Sequence, residues 1–224
     1  MPRWWTSLCG RVVSCRQCPR LVAWREQVAR QKKPAYRNWG YWGRPVPGWG
    51  DPKARLLIIG LAPAAHGANR TGRMFTGDQS GRWLYRALYR AGFANQPTWE
   101  HRNDGLMLRD CYVTAVLRCA PPGNKPLPRE IERCQVFLRE ELQRLTNVQV
   151  VIALGRIAFE TYSRLRGLTP RPAFAHNRRY DGRPVLIASY HPSRQNTNTG
   201  KLTEAMFDAV FAQVRKVLSE WARR

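Results

Sequence analysis

Residues 54–92 decide the fold. They read as three pieces: an apolar, branched run, "ARLLIIG" (54–60), a turn-rich stretch, "GLAPAAHGANRTGRMFTGD" (60–78), and "SGRWLYRALYRAG" (80–92). The last places Trp83, Leu84, Ala87 and Leu88 on one face of a helix. Strand, Gly-rich turn and helix in that order make half of a parallel-sheet unit. Three further apolar runs repeat the strand signal: "CYVTAVL" (111–117), "VQVVIAL" (148–154) and "RPVLIASY" (183–190). Helical patterns follow at 128–145, opened by Pro128, at 155–166 and at 201–222. The alternation predicts one α/β domain over 1–224, with a four-stranded parallel sheet flanked by helices on both faces. Its working residues belong in loops beyond the strands' carboxyl ends, at 60–79, 118–127, 154–156 and 190–200.

Charge narrows the partner. Thirty-eight Lys and Arg face fifteen Asp and Glu, a net +23. Most of the cations are Arg, whose planar fork pairs two-fold with phosphate oxygens. Residues 1–50 hold ten cations and one acid, Glu26, and cations recur along the whole chain. A folded basic surface for nucleic acid is the leading reading, with an anionic membrane surface second. No apolar run approaches the roughly 20 residues of a membrane span, and the first residues lack a signal-peptide core, so a cytoplasmic protein is expected. Stretch 60–78 follows a strand as phosphate cradles do, yet the chain carries neither G-x-G-x-x-G nor G-x4-G-K-[ST]. The segment "AYRNWGYWGRPVPGWGDP" (35–52) reads as an ordered, irregular arm that either packs its aromatics or stacks them on bases.

Six cysteines follow a pattern. Cys15 and Cys18 form C-x2-C, while Cys119 and Cys134 flank "APPGNKPLPREIER". In an intracellular protein such pairs point to metal or redox roles rather than disulfides. Four thiolates from two pairs suit a tetrahedral zinc or an iron–sulfur cluster, and spacing does not separate the two.

Four stretches taken together carry a resemblance. "CRQCPRL" (15–21), "GRPVPGWGDPKARLLIIGLAPAAHGANRTGRMFTGD" (43–78), "YVTAVLRCAPPGNKPLP" (112–128) and "SYHPSRQNTNTGKLT" (189–203) resemble, in the same order, the iron–sulfur uracil-DNA glycosylases, most closely the branch called family 5 or type B. The resemblance covers nearly the whole chain. It implies a [4Fe–4S] cluster on Cys15, Cys18, Cys119 and Cys134 that ties an N-terminal helix and arm (1–52) to the core, with zinc as the alternative. It implies hydrolysis of the N-glycosidic bond of uracil in DNA, with tolerance for bases such as hypoxanthine. The related family 4 enzymes carry Glu in "GEAPG", where Leu61 stands here, and Asn in "YITN", where Ala115 stands. Losing an acid and an amide from the pocket removes two polar readers of a uracil edge.

The chemistry assigns roles. A base inside a duplex must be flipped out and stacked in a slot. Phe75 is the candidate floor, or else a core anchor of its loop. Gly60, Ala62, Pro63, His66 and Ala115 complete the expected pocket, with Asn69 close by. His191, in "HPS" after the fourth strand, can donate to the oxyanion that develops on the leaving base. Water must attack the sugar, and a carboxylate can orient it and offset the sugar's positive charge. Asp78 is the only acid between Pro52 and Trp99. It either does that work or caps the following helix. Asn124 either supplies the amide missing at Ala115 or shapes a turn. Ser193, Asn196, Thr197 and Lys201 can hold phosphates, and Arg194 or Gln195 can fill the gap left by the flipped base. The expected protein is a monomer acting on uracil-containing DNA. A non-catalytic nucleic-acid-binding module stapled by zinc or a cluster is the alternative.

Overall fold

The computed structural model describes residues 2–222. Helix α1 (Arg3–Ser14) and helix α2 (Pro19–Gln31) come first, parted by extended backbone at Cys15 and Cys18 and restarted by Pro19 at the first helical position. Strand β1 (Trp49–Gly50) and strand β2 (Leu56–Gly60) follow, then the short helix α3 (Ala68–Thr71), helix α4 (Gln79–Arg90) and strand β3 (Cys111–Ala115). Helix α5 (Pro128–Arg144), strand β4 (Val150–Leu154), helix α6 (Arg156–Leu165), strand β5 (Arg179–Tyr180) and strand β6 (Val185–Ser189) lead to helix α7 (Arg194–Asn198) and helix α8 (Glu204–Ala222).

The four expected strands are present and mutually parallel, with Ile58 beside Val113 on one side and Ile152 on the other. They do not make up the whole sheet. Among the described residues it has six strands in the order β1-β3-β2-β4-β6-β5 and is mixed, since β1 and β5 pair antiparallel at the two edges. Each edge strand is two residues long, too short to show an apolar run or an alternation in sequence.

Alternation along the buried strands sorts the core onto two faces. Leu56, Ile58, Val113, Ile152 and Ile187 pack with Leu84 and Leu88 of α4 and with Val210, Phe211 and Val214 of α8. Leu57, Ile59, Tyr112, Val151 and Leu186 pack with Leu138 of α5 and Phe159 and Tyr162 of α6. Helices therefore cover both faces. The chain leaves β2 toward β3 and leaves β4 toward β6, so the connections part beyond Gly60 and Leu154, the crevice position at which open sheets of this kind bind ligands.

Candidate active site

The first loop is built around a close approach. Gly60 ends β2, and a Cβ there would stand 2.6 Å from Cζ of Phe75. Phe75 is 8% exposed and holds φ +55°, a left-handed conformation that bulky residues avoid. Its neighbours hold it there. Tyr85 donates to the Met74 carbonyl at 2.5 Å, Thr71 Oγ1 to the Thr76 carbonyl at 3.2 Å, and Arg73 Nε to Thr76 Oγ1 at 2.8 Å. The Arg73 guanidinium also grips Asp104 with two bonds of 2.8 and 2.7 Å, anchoring the loop from outside. The Phe75 ring lies along that of His191, centroids 5.9 Å apart and planes 25° apart. The loops after β2 and β6 thus meet face to face. Phe75 belongs to the core cluster and also forms this contact.

Asp78 is the N-cap of α4, its Oδ1 accepting from Gly81 N at 2.9 Å. Trp99 Nε1 donates to the Asp78 carbonyl at 3.2 Å and fixes the backbone there. The other carboxylate oxygen, Oδ2, lies over Gly67, where a Cβ would stand 2.3 Å from it. Burial raises the Asp78 pKa; the Gly81 and Ser80 N–H groups and the charge of Arg70 oppose the rise. Most of the fifteen acids are matched by Arg, as in Glu26–Arg16, Glu130–Arg20 and Glu141–Arg118. Among the described residues no cation forms an ion pair with Asp78.

Burial pushes the His191 pKa down to about 4, so its imidazole is neutral at neutral pH. Asn196 Nδ2 donates to the His191 carbonyl at 2.9 Å, and Ser193 N donates to the same oxygen at 2.7 Å. Ser193 also caps α7, accepting from Asn196 N, and Thr197 Oγ1 donates to the Ser193 carbonyl. These three polar groups therefore shape the loop that carries His191. Arg194 and Gln195 are exposed, and Lys201 Nζ sits 5.1 Å over the Tyr190 ring.

The other expected pocket residues divide. Ala115 ends β3 beside Gly60, fully buried, and Pro63 is buried. Ala62 packs toward Leu21, Leu117 and Cys119, on the cysteine side of the loop. His66 Nδ1 pairs with Tyr41 Oη at 3.0 Å, and burial, then Lys33 and Arg70, lower its pKa. Asn69 is buried at 1% and bonds backbone: its Nδ2 donates to the carbonyls of Arg25 and Ala65 at 3.2 and 3.3 Å. Asn124 is exposed in a turn at φ +57°, its N–H donating to the Pro121 carbonyl. Sequence reasoning missed Trp99, Arg70 and His176. His176 Nδ1 accepts from Tyr190 N at 3.1 Å and its ring stacks on Tyr190, 4.8 Å between centroids. Nothing local in sequence marks such partners, which join segments far apart in the chain.

Cys15, Cys18, Cys119 and Cys134 line one small cavity with Leu21, Arg25 and Phe137. Two N–H groups point at sulfur: Arg25 Nη1 lies 2.9 Å from Cys119 Sγ and Arg118 N 3.3 Å from Cys134 Sγ. Burial pushes the Cys119 thiol up to about 11 and the Cys134 thiol to about 12. Among the described residues no group of three or more His, Cys, Asp or Glu side chains stands ready to hold a metal ion. Cys111 lies apart, buried at the start of β3.

A sequence model of the Uracil DNA glycosylase superfamily matches residues 47–215. The chain is 50% identical to the type-5 uracil-DNA glycosylase of Thermus thermophilus over 92% of this chain and 94% of that protein. It is 49% identical to the type-5 enzyme of Mycobacterium leprae over 93% of both chains. A type-4 uracil-DNA glycosylase from Archaeoglobus fulgidus is 31% identical over 66% of this chain and 70% of its own. The chain belongs to the uracil DNA glycosylase superfamily and, within it, to the type-5 uracil-DNA glycosylases.

Proposed function

We propose that this enzyme flips uracil out of DNA and hydrolyses its N-glycosidic bond, leaving an abasic site. Likeness to the type-5 enzymes supports the activity, and the Phe75–His191 stack supports the place: it joins a flat ring and a neutral imidazole at the crevice. The flipped base stacks on Phe75. His191, uncharged before reaction, donates a hydrogen bond to the base oxygen as negative charge develops there. Asp78 divides its work between two oxygens. Oδ1 holds the helix cap, while Oδ2 orients water against the sugar carbon and offsets the oxocarbenium charge. A carboxylate with no ion pair in so basic a chain suits that task. Asn124 joins water or base when DNA closes on its exposed turn.

Leu61 and Ala115 leave the base edge without an acid or an amide, which favours a wider substrate range that includes hypoxanthine. Arg194 or Gln195 fills the gap in the duplex, with Lys201 and the backbone around Ser193, Asn196 and Thr197 on the phosphates. We read the four cysteines as holders of a [4Fe–4S] cluster rather than zinc on their resemblance to the iron–sulfur glycosylases: the four thiols line one cavity, with N–H groups aimed at two sulfurs, and would have to be drawn together around the group. Bound there, the cluster cross-links the α1–α2 junction to the segment entering α5 and does no redox work in excision. The chain acts as one domain over 1–224 and, with a net +23, as a self-repelling monomer, at its DNA in the cytoplasm. No described helix is long and apolar enough to cross a membrane.

A duplex with one uracil, incubated with brown, cluster-loaded protein, tests the reading. Abasic sites are expected. Binding without base release would establish the module reading in its place.

A further inference from the structure

The excision chemistry leaves one built feature unused, the segment between α2 and β1. Residues 27–50 hold Arg30, Lys32, Lys33, Arg37 and Arg44 and no acid. Within this stretch Trp39 keeps 37% of its surface exposed, and the neighbouring Lys33, Arg37 and Asn38 are exposed as well. This leaves an ordered, part-exposed Trp ring standing among cations.

The segment is held in place. The Arg70 guanidinium carbon lies 3.9 Å from the centroid of the Tyr36 ring and 4.2 Å from that of Trp39. Arg70 is itself buried at 3%, with Nε donating to the His66 carbonyl at 2.9 Å and Nη2 to the Gly77 carbonyl at 3.2 Å. Gly77 immediately precedes Asp78. The backbone N–H of Trp42 donates to the Arg70 carbonyl at 2.8 Å, and Tyr41 meets His66. One buried arginine thus couples the aromatic segment to the loop that carries Phe75 and Asp78.

We propose that residues 32–39 form a second nucleic-acid contact, in which Trp39 stacks on an unpaired base next to the excised nucleotide while Lys32, Lys33 and Arg37 hold its phosphates. Sequence-tolerant recognition of unpaired strands combines aromatic platforms with a cationic track, and both are present here on one pinned segment. This inference rests on the glycosylase reading for the position of the excised nucleotide. The segment's preference for unpaired bases stands without it.

The test measures binding by fluorescence anisotropy of cluster-loaded protein to an undamaged single-stranded oligonucleotide and to the same sequence as a duplex, across salt. W39A is expected to weaken single-strand binding about tenfold, a typical loss for one stacked base, with a smaller effect on the duplex. W39F, which keeps a ring, recovers most of it. The triple variant K32A/K33A/R37A lowers the salt slope instead, by about one for each phosphate that is no longer neutralised. If W39A, with an unchanged unfolding temperature, binds the single strand as the parent does, the inference is wrong. Should W39A unfold, W39F and W39L carry the decision: equal affinity of the two overturns stacking. A protein that shows these losses yet releases no uracil would refute the glycosylase reading alone.

Discussion

Asp78 caps a helix and, in the proposed reaction, also orients water. Its Oδ1 caps α4 and its Oδ2 is turned toward Gly67. The two tasks separate by substitution. In Asp78→Asn the amide oxygen still caps, so the unfolding temperature stays near that of the parent, while single-turnover excision falls roughly 10²–10⁴-fold. Asp78→Ala loses both, adding a stability loss of about 1 kcal/mol read by denaturant unfolding. An Asn variant of full activity would leave Asp78 a cap only. The pH profile gives an independent check. Burial raises the Asp78 pKa from its ordinary value, and in the proposed role the ionised form is the one that orients water. Excision therefore rises with pH through that raised pKa. The acid limb is expected to lie above the ordinary aspartate value and to flatten in Asp78→Asn. For stability the sign is separate: the unfolded chain protonates His191 below 6.5, the folded one only near 4, so burying this group costs stability as pH falls through that window.

Elements show where sequence was legible. The four central strands and the helices α4, α5, α6 and α8 announce themselves by apolar runs and helical spacing, because a strand buried on both faces and an amphipathic helix both repeat locally. The edge strands at Trp49 and Arg179 do not, being two residues each and set by tertiary pairing. The same divide runs through the site. Phe75 and His191 lie in loops that topology places at one end of the sheet, and the structure brings them together. The bonds from Arg25 to Cys119 and from Asn69 to the Arg25 carbonyl link segments tens of residues apart, and no local pattern marks them. Another such hidden device is Arg118–Glu141, both 1% exposed and 2.6 Å apart, with Thr114 Oγ1 donating to the same carboxylate at 2.7 Å. It joins β3 and the Cys119 segment to α5, which carries Cys134. Glu141→Ala leaves Arg118 buried and uncompensated, so a loss of about 3–5 kcal/mol is expected in denaturant unfolding. Arg118→Met combined with Glu141→Leu should recover most of the stability, because removing both charges also removes their desolvation cost. Equal destabilisation by the single and double variants would show that the pair contributes packing rather than charge.

At the scale of the molecule, charge and fold divide binding from selection. Many of the acids are already matched by Arg partners, so the surplus of twenty-three positive charges remains for an external polyanion. Phosphate neutralisation releases counterions whatever the sequence, so affinity falls steeply with salt. The proposed pocket would work differently: stacking on Phe75 and a hydrogen bond from His191 involve no phosphate. Affinity for an undamaged duplex and for one carrying a non-cleavable uracil analogue should therefore fall along parallel lines of log affinity against log salt. If six to ten phosphates are neutralised, both lose roughly 10³–10⁵-fold between about 50 and 200 mM salt. The gap between the lines reports the pocket and should stay constant across that range. Replacing Phe75 with Ala should close the gap without tilting either line. Converging lines in the parent protein would mean that selection of the damaged site is itself electrostatic, and that basic loops rather than the Phe75–His191 crevice discriminate the base.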